Sequence, residues 1–568
     1  MNLHLRKTLD RSKPNRRDFM VQSGSASMGI ASAVNTLAHL QLMGTAAAQS
    51  AGSSDYKALV CIFLNGGMDT NNLLMPVAGS ARTLYENGRG IPTYAGGLGG
   101  IAVPLADLNG AGTLLTPLNP VSEYEHASGY LGNISGNTMA VHPGGSHLKT
   151  LFDNQELAFV SNVGVLTQPD VTRANYGALP ASQKPPQLFS HSDQQRQWQS
   201  SVPDRPFTSG WGGRLADMLD SVHNTDPESL SMMVSVNGFN SFQVGIQQQP
   251  YIMGSSGVTS LSGYGTAYAS ALKSTSKQPF ATYDPFDTPG STTSNYITGA
   301  TGWRLSALEQ IMGMTHASLF DRAYVNVSKN ARVTEGLVGQ ALAATANGSA
   351  TTLDTYFTNA YSDSGGINGL TDGFATQMRM VARLIAGNNV LKNRRQIFFV
   401  QLGGWDTHTS QIPVNNNAAR RDQGYYRLML NLSCAIKAFR DSLQSLGLWN
   451  NVMAFTASDF TRTFTPNKTD ASGGSDHGWG GHMMVAGGQV KGKRIFGQFP
   501  DHTINGGMDV SGNRGRWIPT TSVDQYAAVI ARWFGVPVDQ IGAIFPNLSR
   551  FNTPFGPSGR LDFVNYSA

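Results

Sequence analysis

At residues 396–408 the chain reads QIFFVQLGGWDTH. An unbroken apolar run rich in aromatic and β-branched residues starts at Ile397, stops at paired glycines, and then delivers Asp406 and His408. Apolar residues that do not alternate with polar ones belong to a strand covered on both faces. The same form recurs in ALVCIFLNGGMD (58–69), LAFVSNVG (157–164), NVMAFTASDF (451–460) and HMMVAGG (482–488). Helical patterns lie between these runs. Phe374, Met378, Val381 and Ile385 share one helix face, with Thr371 or Asp372 as the cap and Gly387 as the stop. Leu428, Leu432, Ala435, Phe439, Leu443 and Leu446 repeat at the same spacing before Gly447, and Val523, Ala527, Ile530 and Phe534 mark a third helix. Strand–helix alternation predicts an α/β domain with a mostly parallel central sheet and helices on both faces. That domain is expected over 55–550, with a Gly/Ser/Thr-rich irregular insertion at about 240–300 and a C-terminal tail at 551–568.

The 568 residues are 40% hydrophobic and only 14% charged, and 64 of them are glycine, so tight turns and long loops are expected. Cys61 and Cys434 sit in apolar runs and read as buried free thiols, with a single disulfide between them as the alternative. Residues 1–48 look like an export signal. Arg16 and Arg17 precede a mildly apolar stretch, and Ala46 and Ala48 offer a small-residue cleavage site. The twin-arginine translocase is the expected partner, and the destination is periplasmic or secreted. Of the formal net charge of +5, this leader carries +4, from six Lys/Arg against two Asp/Glu. The remainder is near neutral and shows no basic run, which excludes nucleic acid as an expected partner. The leader is too polar for a stable transmembrane segment.

In parallel α/β sheets ligands bind beyond the carboxyl ends of the strands, and the polar residues of this chain collect there. Asp69, then Asp406 and His408, then Asp459 each follow an apolar run. Asp476, His477 and His482 precede one, inside GGSDHGWGGHMMVAGG (473–488). Carboxylates and imidazoles hold divalent ions, which polarise ester oxygens. These seven residues are the candidate ligands of Zn, Ca, Mg or Mn. The glycines around Asp476, His477 and His482 are expected to supply backbone angles other residues resist, so that the two nearby histidines turn inward together with several side chains on one ion. HPGGSH (142–147) and FSHSDQQ (189–195) offer further histidines and serines. No G-x-S-x-G elbow and no H-E-x-x-H occurs.

NRRDFM, LVCIFLNGGMDTNN, FSHSDQQRQWQ, SGWGGRLADML, QLGGWDTHTSQ, TASDFTRTFTPN and GSDHGWGGHMMVAGGQVKGKRIFG occur in this order. In them the chain resembles the exported bacterial family called domain of unknown function 1501, from about Arg16 to the final helix. Where that family has Glu-Phe-Gly-Arg-Thr, this chain has Asp459, Phe460, Thr461, Arg462 and Thr463. The family is similar to the alkaline-phosphatase and sulfatase superfamily, whose members are α/β folds with two metal clusters beside a nucleophile. The resemblance implies Asp69 as the early acid and Asp406 with His408 as the second step. Asp459 or Asp476–His477 would be the third step, and His482 the last. It assigns no nucleophile, for which Ser190, Ser192 and Thr70 are the candidates; Asn72, His191 and Arg462 are the candidate substrate contacts. The function expected is a metal-dependent hydrolase of phosphate or sulfate esters, acting on a small molecule or a polysaccharide. A non-catalytic envelope binding or assembly protein on the same fold is the alternative.

Overall fold

A computed structural model describes residues 56–568 apart from 109, 111, 119–138, 227–228, 259–270, 272–295, 315–333, 344, 346–349, 413–422, 511, 556–560 and 567–568. The expected leader, with Arg16 and Arg17, and most of the 240–300 segment lie outside the described residues. Strand β1 (Lys57–Leu64) lies in the middle of a nine-stranded sheet. Its two neighbours come from far downstream: β8 (Arg395–Leu402) and β9 (Val452–Ser458), both parallel to it. Beyond β8 lie β6 (Met233–Ser235) and β7 (Tyr251–Ile252). Beyond β9 lie β10 (Gly481–Gly487), β5 (Leu157–Gly164) and two short strands on β5, β11 (Ile495–Phe496) and β12 (Thr521–Ser522). Only β10 runs against its neighbours, pairing antiparallel with both β9 and β5. A separate three-stranded antiparallel sheet joins β2 (Leu74–Pro76), β3 (Leu114–Leu115) and β4 (Met139–Val141).

The strands are apolar on both sides because both sides are covered. In β1, Ala58, Val60, Ile62 and Leu64 enter one core while Leu59, Cys61 and Phe63 enter the other. The first core is closed by two helices. One is Gly373–Ala386, capped by the Asp372 carboxylate on the Phe374 and Ala375 amides, and the other is Gly424–Ser445. The second is closed by Trp211–His223 and Val523–Phe534, the latter opened by a Ser522–Gln525 capping box. Three of the four, all but Trp211–His223, fall on the apolar periodicities read in the sequence. Cys61 and Cys434 are free and buried. No helix among the described residues is long and apolar enough to cross a membrane.

Candidate metal centre

The loops leaving β1, β8 and β9 emerge at one edge of the sheet because those strands are parallel. The loop that enters β10 reaches the same edge because β10 is reversed. Its residues are zipped onto the exit of β9: Thr463 N–H donates to Asp476 O at 2.8 Å and Gly478 N–H to Thr461 O at 2.8 Å. A further helix, His191–Ser200, begins at this edge and presents His191 as its first residue. Four loops and one helix N-terminus therefore meet.

Asp406 is the common point. Its Oδ1 lies 3.1 Å from His408 Nε2, 3.4 Å from His191 Nε2 and 3.5 Å from His477 Nε2. Ligand atoms of His191, Asp406 and His477 all fall within 4.8 Å of one another. His408 adds a fourth side, its Nε2 2.9 Å from His477 Nε2. The opposite nitrogen of each ring is tied to an acceptor. His191 Nδ1 lies 2.7 Å from Asp459 Oδ2, His408 Nδ1 3.0 Å from Asp476 Oδ1, and His477 Nδ1 2.6 Å from the Phe189 carbonyl. An ionised carboxylate and a carbonyl only accept, so each Nδ1 carries the proton and each Nε2 is left with its lone pair. Three lone pairs and a carboxylate oxygen are thus aimed at one place. A histidine whose far nitrogen is pinned by a carboxylate or carbonyl is the usual support of a metal ligand.

Charges around the cluster reinforce this. Burial, with help from the Arg462 guanidinium, lowers the pKa of both His408 and His477, although the Phe189 hydrogen bond opposes the shift at His477. At neutral pH both rings are therefore neutral, as a ligand must be. The Asp459 hydrogen bond raises the pKa of His191 against the cost of burial. Burial works to raise that of Asp406, but the Arg462 hydrogen bond and charge hold it below the ordinary carboxylate value. His191 Nε2 is buried and has no hydrogen-bond partner.

The expected site residues separate into three groups. Asp406, His408 and His477 come together at the centre. Asp459 and Asp476 stand behind it, each holding a histidine; Asp459 is fully buried and also accepts from Gln195 Nε2 at 2.9 Å, while Asp476 is paired with Arg514. Asp69 and His482 make no contact with the cluster. The Asp69 carboxylate is buried against Arg89, whose guanidinium it neutralises, and Gln411. His482 lies in the core, stacked on Phe499 at 4.7 Å, with burial pushing its pKa down to about 3. The residues expected to touch substrate are also placed differently. His191 joins the donor cluster. Arg462 is fully buried and donates to Asp406 Oδ1 at 2.7 Å. Asn72 is buried between the Ile101 carbonyl and the Tyr85 hydroxyl. Thr70 is buried and bonded to Thr461 Oγ1 at 2.8 Å, and Ser190 donates to Asp193 at 2.7 Å; Ser192 faces Ser190.

The glycines of 473–481 act differently from expectation. None of them adopts a positive φ. They allow close approach instead: a Cβ at Gly474 would lie 2.2 Å from Thr407 O, and one at Gly478 2.8 Å from the carbonyls of Thr461 and Arg462. Positive φ is found at the β1 exit, at Gly66 and Gly67, where a side chain would strike Asp406 N or the Phe460 ring. Sequence reading missed Asn65, Gln195, Phe189, Arg514 and Arg516. Arg516 donates from Nε to the His477 carbonyl at 2.7 Å and stacks on Phe189 at 4.2 Å. Gln195 lies in FSHSDQQ, one helical turn beyond His191, and that spacing was the available signal.

No curated protein and no solved structure matches the chain. The model of the family described as Protein of unknown function (DUF1501) matches residues 56–510, which takes in every strand and loop that builds the donor cluster. The aligned span runs from β1 through the β10 loop and most of the chain lies within it, so the protein belongs to the DUF1501 family.

Proposed function

We propose that the protein is an exported, metal-dependent hydrolase of phosphate or sulfate esters on a fold related to the alkaline-phosphatase and sulfatase superfamily. One observation carries this reading: His408 and His477 face each other through Nε2 at 2.9 Å while both Nδ1 atoms donate elsewhere. Two lone pairs at that distance repel unless a cation lies between them. Burial and the Arg462 guanidinium disfavour a proton on either ring, and a bound metal ion would relieve that repulsion. Asp406, His191, His408 and His477 would hold it, and three nitrogens with one oxygen suit Zn better than Ca or Mg. A divalent ion bound there polarises an ester oxygen and acidifies water.

The chain's own groups supply the rest. Asp406 and His408 form the open side of the centre, with side chains 47% and 42% exposed, so a substrate would approach the site past them. Arg462 keeps Asp406 ionised. Arg514 and Arg516 add positive charge behind Asp476 and His477, which favours an anionic ester. The hydroxyls of Thr70, Ser190 and Ser192 are all engaged with other side chains, so water is taken as the attacking group in this reading. The same engagement favours the second reading, a binding or assembly protein that kept the fold.

Metal stoichiometry of protein from its native compartment, with hydrolysis of p-nitrophenyl phosphate and p-nitrophenyl sulfate, tests the choice. His477→Ala and His191→Ala are expected to lower metal affinity and turnover by about 10–100-fold or more while the fold survives. A wild-type protein that carries no metal, and stays inert when Zn, Mg, Mn or Ca is supplied, overturns the hydrolase and leaves the binding protein.

A further inference from the structure

A cavity of about 330 Å³ opens beside the metal-centre loop, between the segment that leaves β5 and the segment that enters β12. It is within the range of about 300–1,000 Å³ typical of small-molecule sites. Leu166, Ile518 and Phe551 form its apolar wall, and Asp170, Gln498 and Asn552 face it from the polar side. Among the described residues no Lys or Arg lines it. Each of the three polar residues has its main-chain carbonyl fixed into the surrounding wall. Asn175 Nδ2 donates to Asp170 O, Thr520 Oγ1 to Gln498 O, and Gln525 Nε2 to Asn552 O. Their side chains make no hydrogen bond or ion pair with the described protein. Asp170 stands at φ 58, a left-handed conformation that Asp and Asn adopt readily.

The lining selects a class of ligand. A phosphate, sulfate or carboxylate would meet the Asp170 carboxylate and, among the described residues, no cation to balance it. A purely apolar ligand would bury three unpaired polar side chains. A sugar ring satisfies both sides, because its hydroxyls donate to the carboxylate and exchange hydrogen bonds with two amides while its C–H face covers Phe551 and Ile518. The cavity also shares a wall with the metal centre. Leu166 and Ile518 pack in one cluster with Trp479, two residues after His477, and Phe189 and Phe551 lie against that cluster. The Trp479 indole N–H donates to Val165 O at 2.9 Å, and Phe189 is the residue whose carbonyl holds His477.

We propose that this cavity is a subsite for a neutral sugar unit, so that the ester presented to Asp406, His191, His408 and His477 is one carried on a glycan. The link to an ester rests on the hydrolase reading; the sugar subsite itself does not. Saturation-transfer NMR on the full-length exported protein, with cellobiose, maltose, lactose and N,N′-diacetylchitobiose as probes, tests it. At least one should show saturation of its ring protons. Asp170→Asn with Asn552→Ala should weaken that binding about tenfold or more, whereas His477→Ala should leave it unchanged. Asn tolerates the left-handed backbone at position 170 and both sites are exposed, so the paired variant folds. Failure of all four probes to bind, or equal binding by the paired variant, overturns the subsite. Sugar binding by a protein without metal upholds the subsite and removes the hydrolase; metal with ester hydrolysis but no sugar binding does the reverse.

Discussion

Asp459 has no exposed surface, yet it fixes where His191 points. Its Oδ2 takes the Nδ1 proton of His191 and a second hydrogen bond from Gln195, which in turn reaches Asn65 Oδ1 at 2.6 Å. The acid therefore acts through the imidazole and touches no substrate. Replacing it by Asn keeps the volume and removes the charge that favours the Nδ1–H tautomer. Asp459→Asn is expected to weaken metal binding by about 10–100-fold with little loss of fold, read by competition with a chromophoric chelator. Unchanged affinity would mean that His191 is oriented by packing alone. The family's usual Glu is one methylene longer at this position. Here the shorter acid meets a histidine that starts a helix, so the two are matched in reach. A residue type alone could not reveal this: an Asp after a strand can bind an ion, hold a ligand or cap a turn, and only its partners distinguish these roles.

At the scale of elements, β10 matters most. The apolar runs made the strands legible, and the helix stripes, with Asp372, Gly387 and Gly447 at ends of two of them, made three helices legible. The direction of β10 was not, because an apolar run reads the same either way. In a wholly parallel sheet, residues preceding a strand would lie at the opposite edge from those following its neighbours. The reversal is what brings Asp476 and His477 to Asp406 and His408. His191 was legible only as one polar residue in a cluster, since nothing local ties a helix start at 191 to loops at 406 and 477. Asp69 was misleading for the opposite reason: it follows β1 as a ligand should, but Arg89 from the next helix claims it. The entry to β10 is packed tightly enough to test. Gly478→Ala would press a methyl group against two backbone carbonyls that cannot swing aside. The expected cost is about 1–3 kcal/mol of stability together with weakened metal binding, from denaturant unfolding and metal titration on the same variant. A change in neither would show that the loop yields freely.

Across the whole molecule, the donors come from segments separated by most of the domain, so an ion held among them ties those segments together. Chelation is expected to lower the unfolding temperature. At free metal about 100 times its dissociation constant the ion would add about 2.7 kcal/mol. His477→Ala should unfold at nearly the same temperature with or without chelator. A wild-type melting curve indifferent to metal would argue against the cross-link. The position of β1 has a consequence of its own, in time. It is the earliest of the described strands to be synthesised, and it takes a central place whose flanks are filled by β8 and β9. Tyr56, just before it, finds its hydrogen-bond partner Gln396 some 340 residues later. Until those segments have been made, an eight-residue apolar strand stands with both edges unsatisfied, able to pair with any other extended chain it meets. Such late closure makes folding slow and exposes the nascent protein to aggregation.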